Sequence, residues 1–251
     1  MTRPHDSWAE VYDLAYQEEF GSFYEQFTQF TVNEIRSLVA IPASIVDFGA
    51  GSGRLAIPLA RAGYRVTAVE PSAAMLGQLR SAAPDLDIPC IESAMQDFRG
   101  DARFDLAICV FTVITYLLDE YQLRSALQCA RDCLNPDGQL LLDVPSASLF
   151  ASHGCSTERL IRKVSIRSVG GDVHEYREEV GLLGAEGVER VYRDTFLIRA
   201  WRTEEVLDIA CQCDFRLVEN LSTRFGGTGS DYLLLAPASH GTPRSSLPKC
   251  P

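Results

Sequence analysis

Apolar positions along the chain change their period twice, and each change predicts a different kind of structure. Over residues 8–39, aromatic and aliphatic side chains recur at helical spacing with one interruption at Gly21, which predicts helices over 8–19 and 22–39. Short apolar runs then alternate with helical patterns. Strands are expected at 44–48, 64–69, 88–91, 104–111 and 139–144, with helices at 54–62, 72–81 and 120–134 between them. The last of these helices is stopped by Asn135-Pro-Asp-Gly138. Strands alternating with helices over about a hundred residues mean a parallel sheet with crossover helices, an α/β fold.

After Pro145 the period changes to strict alternation. Residues 160–166, 173–180 and 188–201 read as antiparallel strands with one wet face, separated by glycine-bearing turns. A helix over 203–213 follows, with Thr203 as its N-cap and Glu204 and Glu205 in its first turn. Two last strands, 216–221 and 231–235, bring the main sheet to seven. The stretch 237–251 is rich in Pro, Ser, Gly and Thr and is expected to be a disordered tail.

Composition narrows the function. The chain of 251 residues carries 34 acidic against 23 basic side chains, a net charge of −11, which argues against a nucleic-acid partner. No apolar stretch approaches the roughly 20 residues of a membrane-spanning helix, so neither a membrane partner nor a secretory leader is expected, and the expected location is cytoplasmic. Eight cysteines are many, but none forms a C-x-x-C pair. They read as small buried hydrophobes in a reducing compartment, with no metal site.

The chemistry is concentrated where the first strand ends. Ile45-Val-Asp-Phe-Gly-Ala-Gly-Ser-Gly-Arg54 is a strand running into a glycine turn and then a helix. Such a turn lets backbone approach a ligand closely and points free N–H groups at it. Dinucleotide folds prefer G-x-G-x-x-G, but here the glycines fall at 49, 51 and 53, and Arg54 fills the third dinucleotide position. Glu70 ends the next strand, 17 residues after Gly53, where a carboxylate can accept from both hydroxyls of an unphosphorylated ribose.

With these residues the chain resembles the class I S-adenosylmethionine-dependent methyltransferases of the small-molecule type. Four motifs carry the resemblance: Val46 to Gly53, Ala68-Val-Glu-Pro-Ser72, Arg103 to Phe111, and Leu134 to Asp143. The resemblance implies a Rossmann-like seven-stranded sheet with helices on both faces and an antiparallel insertion, 159–200, after the fifth strand. It implies S-adenosylmethionine as cofactor, with Gly49, Ala50, Gly51, Ser52 and Gly53 against its amino-acid arm and ribose. Glu70 and Pro71 would hold the ribose, Met75, Ala94, Met95 and Gln96 the adenine, and Val110 and Phe111 would face both cofactor and acceptor. Tyr12, in a Tyr12-Asp13 pair, would close over the cofactor from an N-terminal helical lid spanning residues 1–39. The methyltransferase domain proper would run over 40–236. One departure stands out, because the family usually has Asp after the third strand to accept from the adenine amine, and Ala94 takes that position.

A methyl sulfonium is already activated, so the protein mainly supplies alignment. Transfer to N or O of a small molecule is expected, since the Asn/Asp-Pro-Pro-aromatic signature of amide methylation is absent and the fourth strand exits toward Tyr116. Tyr16 and Tyr116 are expected at the acceptor. His153 and His174, the histidines outside the apparent tails, are candidate general bases. The insertion would either roof the acceptor pocket or form a homodimer interface. The alternative in another class is a catalytically inactive S-adenosylmethionine-binding regulatory or interaction protein; a nicotinamide oxidoreductase or nucleic-acid methyltransferase fits less well.

Overall fold

The computed structural model describes residues 3–238. A short 3₁₀ segment, Asp6–Val11, kinked at Trp8, leads into α1 (Tyr12–Phe20), and Gly21 at φ 54 breaks the path before α2 (Ser22–Leu38). The alternating half follows as β1 (Ser44–Phe48), α3 (Ala56–Arg61), β2 (Arg65–Glu70), α4 (Ala73–Ala82), β3 (Cys90–Glu92), β4 (Phe104–Cys109), α5 (Glu120–Cys133) and β5 (Leu134–Pro145). A run of antiparallel strands comes next: β6 (His153–Ser156), β7 (Leu160–Gly170), β8 (Val173–Gly184) and β9 (Gly187–Arg199). The chain ends in α6 (Thr203–Gln212), β10 (Phe215–Asn220) and β11 (Ser230–Pro237).

The main sheet has seven strands in the order β10-β11-β5-β4-β1-β2-β3, and only β11 runs against its neighbours. Its inner strands bury both faces, as a parallel sheet between helix layers must, while the edge strands β3 and β10 are mostly exposed. One face packs Leu123, Leu127 and Ala130 of α5 and Val206 and Ile209 of α6. The other packs Ile35 of α2, Leu59 of α3 and Leu76 and Leu79 of α4. Each such side chain stabilises the fold by about 1.5–3 kcal/mol on burial. The second sheet has four strands in the order β6-β7-β8-β9, and a smaller core of Trp8, Val11 and Ala15 joins the N-terminal segment to its Leu160, Val180 and Tyr192.

Four local expectations need correction. The second sheet starts at His153, before the predicted insertion, because β6 is a short, mostly exposed edge strand without an apolar signal. Thr203 does not cap α6; its hydroxyl donates to Asp231 Oδ2 at 2.6 Å, and Arg202 stands at the N-cap. Asn135-Pro-Asp-Gly138 does not separate helix from strand. The pairing jumps from Phe104↔Leu134 to Leu106↔Gln139, so the tetrapeptide bulges out of β5, tethered by Asn135 Nδ2 to Asp105 Oδ1 at 2.7 Å. The last strand includes Pro237, which pairs with Phe215, and residues 239–251 of the expected tail lie outside the described residues.

Candidate active site

The strand order reverses between β1 and β4, and open α/β sheets bind ligands at the carboxyl ends of strands beside such a reversal. A cleft of about 820 Å³ opens there, within the roughly 300–1,000 Å³ typical of cofactor sites. Its floor is the glycine turn. Gly49, Gly51 and Gly53 have φ of 73, 56 and 93°, a region that side chains disfavour. A Cβ on Gly49 would stand 2.5 Å from Val113 Cγ2, so the turn can lie this close to the Val113–Tyr116 segment only as glycine.

Glu70, 8% exposed, reaches from the end of β2 to this turn. Its Oε2 accepts from Gly51 N at 3.1 Å and its Oε1 from Ser72 N at 2.9 Å. Burial raises its pKa, opposed by those two N–H groups. Asp47, at the end of β1, also lines the cleft; burial, with the nearby Glu70 second, pushes its pKa up to about 8. Two carboxyls that resist ionisation side by side are poised for a cationic ligand. At the far side stand Pro71 and Met75, and the turn Met95–Asp97 brings Ala94, Met95, Gln96 and Asp97 to the wall.

At the end of β4 the backbone is strained. Phe111 and Thr112 adopt φ of 63 and 68° in succession, and Thr112 N donates to the carboxylate of Asp143 at 3.1 and 3.2 Å. Left-handed non-glycine residues cost of order 1–3 kcal/mol each and gather at functional sites. The bend carries Phe111 and Tyr116 into the cleft. Arg54 lies between Phe111 and Tyr24, its guanidinium carbon 3.7 and 4.0 Å from their ring centres. It donates to Thr28 Oγ1 and to the Tyr24 carbonyl, and no carboxylate pairs with it among the described residues. That leaves a half-buried cation facing the cleft.

The second sheet supplies the opposite wall through Glu175 of β8 and Thr195, Phe196 and Leu197 of β9. The N-terminal segment closes the third side with Arg3, Pro4, His5 and Tyr12. Asp6 accepts from the Ser72 hydroxyl, and Asp13 of α1 accepts from Ser52 Oγ at 2.8 Å, so both ends of the segment are tied to the loops after β2 and β1.

Of the residues expected at the site, Tyr12, Gly49, Ala50, Gly51, Ser52, Glu70, Pro71, Met75, Ala94, Met95, Gln96, Val110, Phe111 and Tyr116 meet in this one cleft. Gly53 does not line it; a Cβ there would meet Leu79 and Ile57 at 2.8–2.9 Å, so it serves the packing of α3 on α4. Tyr16 faces away, over Arg162 at 4.5 Å. His153 is exposed and pairs with Glu19 at 2.6 Å, and His174 packs on Phe150; neither lines the cleft. The histidine that does is His5, which the sequence reading set aside as tail because its polar surroundings carry no periodicity. His5 Nε2 lies 2.8 Å from Tyr116 Oη.

Behind His5 lies a buried charge cluster. Arg162, 0% exposed in its side chain, donates from Nε to Glu178 Oε1 at 2.6 Å and from Nη1 to Glu19. Burial pushes Glu178 up to about 7 although Arg162 pulls it down.

This strand order, with one reversed strand beside β5 and the glycines at 49, 51 and 53, is similar to the fold of the class I S-adenosylmethionine-dependent methyltransferases. Residues 45–138 of the chain match the family described as methyltransferase domain. A Geobacillus sp. (strain WCH70) protein that carries a methyltransferase name is 31% identical over 144 residues, 57% of this chain and 58% of that protein, so the chain aligns with little more than half of that relative. Among solved structures, an S-adenosylmethionine-dependent methyltransferase from Clostridium acetobutylicum superposes with a TM-score of 0.79 at 14% identity, over 94% of this chain and all (100%) of the other. The sugar N-methyltransferase KedS8 from Streptoalloteichus sp gives a TM-score of 0.74 at 21% identity, over 95% of this chain and 97% of the other. Among the described residues no group of His, Cys, Asp and Glu has the geometry of a metal site, and no helix is long and apolar enough to cross a membrane.

Proposed function

We propose that this protein transfers a methyl group from S-adenosylmethionine to nitrogen or oxygen of a small-molecule acceptor. The observation that carries this reading is the single cleft that joins the glycine turn and Glu70 on one side to an aromatic wall, Tyr116 and Phe196, on the other. The residues present suit the cofactor. Glu70 offers acceptor lone pairs to a ribose, Met75 and Met95 offer apolar faces to a purine, and the unpaired guanidinium of Arg54 matches a carboxylate. The cofactor supplies an electrophilic methyl; the protein orients it and excludes water. The helices over residues 6–38 act as a lid through Tyr12, and the second sheet roofs the acceptor end. Its exposed Val169, Val188 and Val191 would suit contact with a second copy. The seven free cysteines among the described residues fit a reducing, cytoplasmic setting.

The test is calorimetric titration with S-adenosylmethionine and with NADH, followed by transfer of a labelled methyl to a panel of amines, phenols and sugars. Binding of NADH alone would end the methyltransferase reading. Cofactor binding without transfer to any class would favour the non-catalytic binding protein.

Two further results are expected. The cofactor is cationic at sulfur, so it favours the ionised forms of Asp47 and Glu70 and lowers their raised pKa values. The proton that Asp47 holds in the free cleft near pH 7 is therefore released on binding, and affinity rises with pH between about 6 and 8. Calorimetry in two buffers of different ionisation enthalpy measures this release, and Asp47→Asn should abolish most of it. Equal heats in both buffers would refute it. Second, the Ala94 carbonyl is already engaged by Asp97 N at 3.0 Å and Ser93 Oγ at 3.0 Å, which leaves the adenine amine to Gln96 or Asp97. Ala94→Asp should tighten cofactor binding about 5-fold by adding one acceptor, and unchanged affinity would show that the amine is already satisfied.

A further inference from the structure

His5 and Tyr116 form the one polar contact at the acceptor end whose direction the fold sets. The His5 N–H donates to Asp194 Oδ2 at 2.7 Å, which holds the residue at φ 67°. The rings of Trp8, Tyr12 and Phe196 stand around the imidazole with centroids at 5.2 Å, so each ring nitrogen has a fixed neighbour. Nε2 meets Tyr116 Oη at 2.8 Å. Nδ1 faces Glu178 Oε2 at 3.9 Å, and neither of these two buried atoms has a hydrogen-bond partner. Arg162 binds the other oxygen of Glu178, so the side of the imidazole that carries Nδ1 looks at a carboxylate. A carboxylate there calls for the ring proton on Nδ1, and Nε2 is then a bare acceptor.

We propose that His5 is a positioning residue: as the Nδ1–H tautomer it takes the Tyr116 hydroxyl proton in a hydrogen bond at Nε2, so that the Tyr116 oxygen meets the cleft as an acceptor and selects a primary or secondary amine as the methyl acceptor. This rests on the methyl-transfer reading above. An amine that donates one N–H to Tyr116 keeps its lone pair free and aimed away from the phenol. That pair forms the N–C bond, the C–S bond breaks with its electrons left on sulfur, and the surplus proton leaves on the ammonium product. An amine that enters the cleft as the neutral base needs no protein base for the transfer itself. A hydroxyl acceptor would have to lose its proton during transfer. His5 does not take it, because burial, with Arg162 second, lowers its pKa to about 3.

The test has two arms on the full chain. In uniformly ¹⁵N-labelled protein at pH 7.5, long-range ¹H–¹⁵N spectra report the His5 tautomer, assigned by its loss in His5→Leu. An Nδ1–H ring is expected, and an Nε2–H ring overturns the proposal whether or not an acceptor has been found. The second arm uses labelled S-adenosylmethionine with glucosamine, glucose and simple amines and phenols. His5→Leu should bind S-adenosylmethionine within about 3-fold of the wild type yet lose about 30-fold or more in transfer, whereas His5→Gln, whose amide oxygen can accept from Tyr116, should keep transfer within about 5-fold. Label on nitrogen supports the proposal; label on oxygen, or equal loss in both variants, overturns it. Failure of the wild type to bind S-adenosylmethionine would instead remove the reading on which it rests.

Discussion

Glu70→Ala is expected to weaken S-adenosylmethionine binding by about 30-fold or more while leaving the fold intact. The carboxylate would hold both ribose hydroxyls, and hydrogen bonds to a charged group contribute about 1.5–3 kcal/mol each. It also organises the site before any ligand arrives, since one oxygen accepts from Gly51 N in the glycine turn and the other from Ser72 N before α4. Alanine removes the ribose contacts and leaves those N–H groups without their partner. Glu70→Gln keeps acceptor geometry on one side and should cost less, about 5-fold. Titration calorimetry gives the affinities, and circular dichroism confirms that the variants fold. Affinity within about 2-fold of the wild type for Glu70→Ala would mean that the ribose does not sit at the end of β2.

The largest effect on stability is expected at Arg162. Its side chain is fully buried between Glu178 and Glu19, whose side chains are 1% and 8% exposed, and it lies over the Tyr16 ring. Removing one partner of a buried ion pair leaves an uncompensated charge and costs about 3–5 kcal/mol. Here Glu178 is stranded, whereas Glu19 keeps His153 on its other oxygen. Arg162→Ala should lower the melting temperature by roughly 10 °C, at about 2–4 °C per kcal/mol for a chain of this size. The double variant Arg162→Met with Glu178→Leu should recover part of the loss, because a packed apolar pair replaces the cluster. Thermal unfolding followed by circular dichroism measures both. A loss below about 1 kcal/mol for Arg162→Ala would show that water reaches the carboxylates. The loss should be smaller at pH 5 than at pH 8. Glu178 has its pKa raised to about 7 even with Arg162 present, so below that value it takes a proton rather than stay charged.

The glycine-turn side of the cleft was legible in the sequence because its signals are local. Ser44–Phe48 is a five-residue strand with four buried positions, bounded on one side by a glycine turn, and the pattern alone places it. The same holds for Glu70, which needs only a strand end near a glycine loop. The side of the cleft lined by His5, Tyr116 and Phe196 depends on contacts between distant segments. His5 stands 111 residues from Tyr116 and 189 from Asp194, and no period in residues 3–7 announces either contact. His153 and His174 drew notice as histidines near predicted strands, yet their strands belong to the second sheet and present them away from the cleft. Thr203 illustrates the same limit at smaller scale. It has the composition of a cap, but Asp231, 28 residues on, competes for its hydroxyl.

The second sheet has a consequence for how this protein could change its chemistry. Its four strands form one continuous stretch, from His153 to Arg199, inserted between β5 and α6. The methyltransferase-domain match ends at residue 138, before that stretch begins. Residues that would hold the cofactor and the β8–β9 wall facing the acceptor are thus written in separate parts of the chain. Exchange of a single cassette, matched at its two ends to β5 and α6, would replace that wall while leaving the glycine turn, Glu70, His5 and Tyr116 in place.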